Sequence, residues 1–585
     1  MDALMKTSQP IRRLARVAAA LAAGTALVGA LGAARPNVIL IMPDDQGYGD
    51  LHCHGNAMIR TPAMDRLYAQ SVRLTNFHVD PTCSQTRAAL MTGRYSTRTG
   101  VWHTIMGRSL LAHDEVTMAD LFAAAGYKTA MVGKWHLGDN YPMRAEDRGF
   151  QEVLRHGGGG IGQTPDYWGN DYFDDVYLHN SKPEQFHGYC TDVFFSHALR
   201  FIRANRDRPF FLYLAPNAAH GPYRVPERYR DYYLAKGVPN PMASFYGMIE
   251  NIDENLGVLM DKLDEWGLAQ NTILIFLTDN GTSAGVAGGK AAAHAKWRGF
   301  NAGMRGKKGS AYDGGHRVPC FIRWPAGGIG GGKDVRPITA HFDLLPTLAE
   351  LCGLRVPERV QLDGRSLAPL LRNPQAAWPK RTLFAHVQRQ EIPPKWIRSA
   401  VMTDRWRLVN GKELYDMSRD PGQQEDVAAE HPDTVARLRR EYEAWWRSLT
   451  PAFSRYSRIV IGDPHENPSR ITCHDWHSNQ VPWDQSLVRR APWANGYWMI
   501  QVAKAGKYRF VLRQQPPQAR FPIQGDRARI RVNDRQAEAA IPPGATEAAL
   551  TLDLPSGPAK MQTWFFDSKS GKSRGAFFVE AKRLP

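Results

Sequence analysis

The sequence predicts an α/β protein that carries an all-β module at its C-terminal end. Three observations lead there. Asn37–Met42, Pro209–Ala215 and Thr272–Thr278 are short, continuous apolar runs, as expected of strands buried on both faces. Between them Phe245, Met248, Ile249, Ile252, Leu256 and Leu259 keep the spacing of a helix packed on a core. Beyond Thr450 the pattern changes to short strand-like runs separated by Gly, Pro and Asp, the signature of a β-sandwich.

Composition narrows the class. A chain of 585 residues with 43% hydrophobic content can bury a large core, which excludes an intrinsically disordered protein. The formal net charge of +17 favours acidic partners. No basic run with interleaved aromatics occurs, so nucleic acid is not among them; an anion-handling cleft is. Residues 1–34 read as a secretory signal peptide: Lys6, Arg12, Arg13 and Arg16 precede an Ala/Leu/Val/Gly run and small residues up to Ala34. Arg12-Arg13 is a partial match to twin-arginine export. No later stretch could span a bilayer, so the expectation is an exported protein, periplasmic or secreted, without a stable membrane anchor. The six cysteines are scattered and show no Cys-x-x-Cys spacing, which indicates neither a zinc site nor a disulfide scaffold.

Taken in order, the first buried strand ends in Asp44-Asp45. Adjacent carboxylates at a strand's C-terminal end repel unless a cation lies between them, and open α/β sheets bind ligands at that end. Cys83 sits where the chain turns helix-forming, near a helix N-terminus that favours negative charge, with Arg87 one turn further on the same side. Leu110–Gly126 is predicted as one helix and Tyr127–Gly133 as a strand. Past that strand, alternation places Lys134 and His136 on one side of an extended backbone, a cation beside a titratable imidazole. Gly157–Gly160 is a loop, and without a following Gly-Lys-Ser/Thr it is not a phosphate-binding one; the polar and aromatic Gln163–Asn170 beside it is expected at a cleft rim.

A helix around Phe194–Ile202 leads to the strand Pro209–Ala215, beyond which His220 repeats the placement of His136. The strand Thr272–Thr278 ends in Asp279-Asn280, a second acidic terminus with two more oxygen ligands. The set Asp44, Asp45, Asp279 and Asn280 contains only oxygen donors and so selects a hard divalent cation, calcium ahead of magnesium. Strands Leu383–Val387 and Arg398–Leu408 suggest a small antiparallel sheet, followed by a helix from about Pro432 to Arg447. Trp476, Trp483, Trp493 and Trp498 are expected to pack the sandwich and its interface rather than to form a sugar platform. The boundaries expected are 35–375 for the main domain, 376–449 for a subdomain and 450–585 for a separable sandwich.

Cys83-Ser-Gln-Thr-Arg87, continued by Ala-Ala-Leu-Met-Thr-Gly-Arg94, resembles the sulfatase signature. Gly133-Lys-Trp-His-Leu-Gly138 and the segments His341–Glu350 and Leu362–Leu367 are also similar to that family, so the resemblance spans about Pro36 to Leu449. It implies the alkaline-phosphatase-type fold, a mixed central sheet flanked by helices with a small C-terminal subdomain. It implies hydrolysis of sulfate esters, aryl or carbohydrate. Cys83 would be oxidised to formylglycine (3-oxoalanine) by a formylglycine-generating enzyme or an anaerobic maturase, although Gln85 stands where the family usually has Pro or Ala. Residue 83 would complete the metal site. Arg87 and Lys134 would hold it, His136 would act as base, and Lys134, His220 and Lys308 would bind the sulfate, with Lys308 and His220 also protonating the leaving oxygen. The family places its lysine directly before Gly-Ser/Thr, which selects Lys308 over Lys307; Asp313 replaces the commoner Glu. A phosphodiester or phosphonate-ester hydrolase and a non-catalytic binder of sulfated glycans are the alternatives.

Overall fold

The computed structural model describes residues 35–287 and 297–585, so the signal peptide read at residues 1–34 lies outside the described residues. The strands that carry the site are β1 (Asn37–Ile41), β2 (Val72–Leu74), β3 (Phe77–His78), β4 (Lys128–Gly133), β5 (Glu152–Arg155), β6 (Val176–His179), β7 (Lys182–Gln185), β8 (Phe210–Ala215), β9 (Thr272–Leu277), β10 (Cys320–Arg323) and β11 (Lys333–Val335). All but β3 join one ten-stranded sheet in the order β11-β2-β10-β9-β1-β8-β4-β5-β6-β7. The middle is parallel: β1 pairs with β8 and β9, and β4 with β8 and β5. The flanks bring in antiparallel neighbours at β10 and β6, which makes the sheet mixed.

Every residue of β1, β8 and β9 is buried, as their unbroken apolar composition requires when helices cover both faces. Val38 and Leu40 enter one apolar cluster and Ile39 and Ile41 the other, the period-2 alternation of a strand. The helix Met242–Glu265 buries Phe245, Met248, Ile249 and Ile252 in the second cluster.

The predicted helix Leu110–Gly126 shortens to Met118–Ala124. Thr117 starts it with a capping box, accepting from Asp120 N and donating its own N–H to the Asp120 carboxylate. Upstream the chain is needed elsewhere: Leu110 packs into the C-terminal sandwich, while Leu111 N donates to Leu137 O at 3.0 Å. The stretch read as a strand over Arg398–Leu408 is two strands, Ser399–Met402 and Trp406–Val409, in a four-stranded antiparallel sheet with Leu383–His386 and Glu413–Asp416. The helix behind it runs on to Phe453, past the boundary drawn at 449.

Beyond it two sheets, of six and four strands, close over one apolar cluster. Trp498, Ile500, Ile530 and Met561 come from the first, Phe510 and Val579 from the second. That cluster also takes in Leu110 and Met143 from the α/β part, and Asn37–Pro585 forms one compact unit. The tryptophans divide. Trp476 and Trp498 are buried as expected, but Trp483 and Trp493 are 40% and 39% exposed. No helix among the described residues is long and apolar enough to cross a membrane. All six cysteines are free.

Candidate active site

The site lies at the carboxyl ends of β1, β4, β8 and β9, where parallel strands direct the following loops to one edge. β1 delivers Asp44 and Asp45. Asp45 adopts a left-handed backbone, φ 64°, and its N–H donates to Asp279 Oδ1 at 3.0 Å, tying the two acidic strand ends together. Asn280 Nδ2 donates to Asp45 Oδ1 at 3.0 Å. Cys83 opens the helix Cys83–Thr92, every residue of which is buried, so its thiol lies among orphan backbone N–H groups.

Ligand atoms of Asp44, Cys83 and Asp279 lie within 4.8 Å of one another. Asp44 Oδ1 and Asn280 Oδ1 are buried there without any hydrogen-bond partner. Buried oxygens are rarely left so, and two acceptors facing a cluster of carboxylates fit a hard divalent cation. The electrostatics agree. The Asp279 carboxyl is pushed up to about 6, by burial first and by the neighbouring Asp44 anion second. A cation between them would reverse that shift.

Around the carboxylates stands a shell of cations. Arg87, fully buried, donates Nη2 to Asp279 Oδ2 at 2.8 Å and Nη1 to Lys134 O at 2.9 Å and to Tyr213 Oη at 3.1 Å. Lys134 Nζ pairs with Asp44 Oδ2. Gly133 makes that placement possible: with φ 111°, a Cβ there would lie 2.0 Å from Ala215 O of β8. Lys308 Nζ lies 2.5 Å from Asp45 Oδ1. Burial opposes the Asp45 charge, but Lys308, His220 and Lys134 outweigh it and hold this carboxyl well below the usual range. Burial likewise opposes the Lys308 charge, and Asp45 leads the anions that keep the ammonium protonated.

The two histidines present opposite faces to the centre. His136 Nε2 donates to Thr104 O at 2.8 Å, which leaves Nδ1 as the lone-pair nitrogen, buried and unpartnered. Burial, then Lys134, holds its imidazole neutral. His220 Nδ1 donates to Gly221 O at 2.6 Å, so Nε2, 4.0 Å from Asp45 Oδ2, is its basic nitrogen. Burial and Lys308 lower its pKa to about 3.

Above these groups opens a cleft of about 880 Å³. The structure thus gathers Asp44, Asp45, Arg87, Asp279 and Asn280 beneath its floor, which Cys83 lines, with Lys134, His136, His220 and Lys308 around them. Sequence reasoning reached one wall, Gln163 of the rim loop, and missed the rest. The glycine loop packs against His136: a Cβ on Gly159 would meet His136 Cε1 at 2.2 Å. Arg389, Arg398 and Trp483 form other walls. They sit on loops, and of the three the sequence singles out only Trp483, which it assigns to packing rather than to a cleft wall.

The site can be set beside known proteins. The mouse (Mus musculus) protein "Arylsulfatase J" is 27% identical over 503 residues, 75% of this chain and 80% of its own length. Human (Homo sapiens) "Arylsulfatase A" is 32% identical over 426 residues, 68% of this chain and 80% of its own. The crystal structure of Ps i-CgsB in complex with k-i-k-neocarrahexaose superposes with a TM-score of 0.63 at 28% identity, covering 72% of this chain and 95% of that one. Residues 306–444 match the family described as N-sulphoglucosamine sulphohydrolase, C-terminal. Residues 36–354 match the sulfatase family itself, more than half of the chain, and with that match and the arylsulfatase relatives the chain belongs to the sulfatases, hydrolases of sulfuric esters.

Proposed function

We propose that this sulfatase acts on aryl or carbohydrate sulfates through an oxidised residue 83 and one divalent cation. The observation that carries the reading is the convergence of Asp44, Cys83 and Asp279 ligand atoms within 4.8 Å beneath Lys308 and His220. Asp44, Asp45, Asp279 and Asn280 would hold the ion, calcium before magnesium because every donor is oxygen. When bound, the ion neutralises sulfate oxygens, and a formylglycine at position 83 supplies, as its hydrate, the attacking hydroxyl.

The chain's own residues do the rest. Arg87 spans Asp279 and the Lys134 carbonyl and fixes the floor, while Lys134 adds positive charge beside Asp44. Lys308 and His220 bind the sulfate. Lys308, with Nζ 2.5 Å from Asp45 Oδ1, and His220, with Nε2 4.0 Å from Asp45 Oδ2, stand together over the centre and supply the proton to the leaving oxygen. His136, with Nδ1 free and its tautomer fixed by Thr104 O, takes the proton from residue 83 as sulfate departs.

The leader at residues 1–34 supports export to the periplasm or the exterior, with maturation of Cys83 by a formylglycine-generating or anaerobic maturase on the way. The decisive experiment is mass spectrometry across Cys83 in natively produced protein, paired with turnover of matched aryl sulfate and aryl phosphate esters. Conversion of Cys83 with preference for the sulfate is expected. An unmodified thiol in fully active enzyme overturns the nucleophile, and preference for the phosphate overturns the ester class.

A further inference from the structure

The cleft is one-sided in charge. Besides Lys308 it is lined by Lys307, Arg389 and Arg398, and no carboxylate is among its lining residues. These three cations are exposed, and among the described residues none forms an ion pair, whereas their neighbours Arg305 and Arg405 pair with Glu413 and Asp416. They stand on pinned backbone. Arg398, at φ 48°, accepts from Val387 N at 3.0 Å, closing the strap that presents Arg389.

The remaining wall is Trp483, from the C-terminal sandwich. Its carbonyl accepts from Thr164 N at 3.0 Å and that of Pro482 from Thr164 Oγ1 at 2.6 Å, which seats this loop against the α/β part. Other indoles nearby are covered: Arg489 lies over half-buried Trp168 at 4.4 Å and Arg574 over exposed Trp493 at 3.7 Å. Among the described residues no cation covers Trp483, so its face is open to the cleft.

We propose that the substrate is a sulfated saccharide whose alcohol half carries a further anionic group, a second sulfate or a uronate carboxylate, held by Lys307, Arg389 and Arg398 while its ring lies on Trp483. The inference rests on the sulfate-ester reading and narrows it. An apolar leaving group would cover these cations without pairing them, which is unfavourable. An anionic sugar pairs them, with arginine giving planar two-point contacts to sulfate or carboxylate, and offers its C–H face to the indole.

The test compares kcat/KM for four probes: 4-nitrophenyl sulfate, a neutral monosulfated disaccharide, its disulfated analogue and a monosulfated disaccharide containing a uronate. Wild-type enzyme is expected to prefer an anionic disaccharide over the neutral one by tenfold or more at low salt, with the gap narrowing as ionic strength rises. The better of the two anionic probes identifies the group. R389A/R398A should collapse that ratio through KM, and W483A should lower all three disaccharides relative to the aryl ester. A wild-type enzyme indifferent to the second charge, or a ratio that survives R389A/R398A in a protein with unchanged circular dichroism, overturns the inference alone. Failure to turn over any of the four with residue 83 verified as converted overturns the sulfate-ester reading beneath it.

Discussion

The rings of His136 and His474 lie 6.2 Å apart between centroids, one on the loop after β4 and the other in the C-terminal sandwich. The carbonyl of His474 accepts from Met106 N at 3.0 Å, and two residues earlier Thr104 O accepts from His136 Nε2 at 2.8 Å. The sandwich thus fixes the loop that fixes the tautomer of the proposed base.

Truncation after Phe453 should therefore abolish turnover, even of a small aryl sulfate, although the sequence presents the sandwich as separable. Because truncation also bares Leu110 and Met143, a gentler variant is needed. His477, whose Nδ1 pairs with Glu391 at 3.0 Å and whose ring stacks on Tyr497, lies against Gly107 of the same loop. His477→Ala is expected to lower kcat about tenfold, about 1.4 kcal/mol of activation free energy, with native circular dichroism. A normal kcat would show that the loop keeps its shape without the sandwich.

Exhaustive chelation should remove activity and lower Tm together, since Asp44, Asp45 and Asp279 then face one another with only Arg87, Lys134 and Lys308 to offset their charge. An ion present at a hundred times its Kd contributes about 2.7 kcal/mol. Calcium should restore both. Unchanged melting and activity after chelation would leave the carboxylates held by Arg87, Lys134 and Lys308 alone.

Gln85 offers a third test. Its side chain is buried, and neither Oε1 nor Nε2 has a partner. It is the third residue of the helix Cys83–Thr92, where the backbone N–H has no intrahelical acceptor and proline removes no bond. Gln85→Pro should raise Tm, since an unpaired buried polar group costs about 1 kcal/mol or more. It should also raise the fraction of residue 83 converted, read by mass spectrometry, because proline restricts the unfolded segment towards extended shapes. A lower Tm would mean that Gln85 is satisfied by ordered water.

His386 governs part of the acid stability. It is buried, shares a 2.7 Å hydrogen bond with Thr97 Oγ1, and burial lowers its pKa to about 4. The folded value lies below the unfolded value near 6.5, so the unfolded chain binds the proton more tightly. The contribution is complete above pH 6.5 and declines as pH falls towards 4, by about 2 kcal/mol at pH 4.5. His386→Asn should melt below wild type at pH 7, with the difference narrowing by pH 4.5. A constant difference would assign the acid sensitivity to other groups.

Most of the floor was legible because it lies at the ends of unbroken apolar strands. Asp44-Asp45, Lys134, His136, His220 and Asp279-Asn280 each follow a run that could only be a buried strand, and strand ends of one parallel sheet converge. Most of the walls were not legible. Arg389, Arg398 and Trp483 reach the cleft through loops whose positions follow from the docking of separate sheets, which no local period encodes. The edge strand Arg535–Ala540 was missed for a different reason: it is largely exposed and carries no apolar alternation. Leu110 misled because its partners are in the sandwich rather than in its own helix.

The depth of Cys83 sets a clock. In the folded protein Cys83 is 3% exposed at the bottom of the cleft that Lys308 also lines, so an enzyme that modified it would have to meet the chain before the cleft is assembled. Lys308 is made 225 positions after Cys83, which at 5–20 residues per second amounts to roughly ten to forty seconds of synthesis. Codon usage, chaperone holding and the pace of export all act within that interval. The yield of active enzyme would then depend on how slowly its middle third is produced.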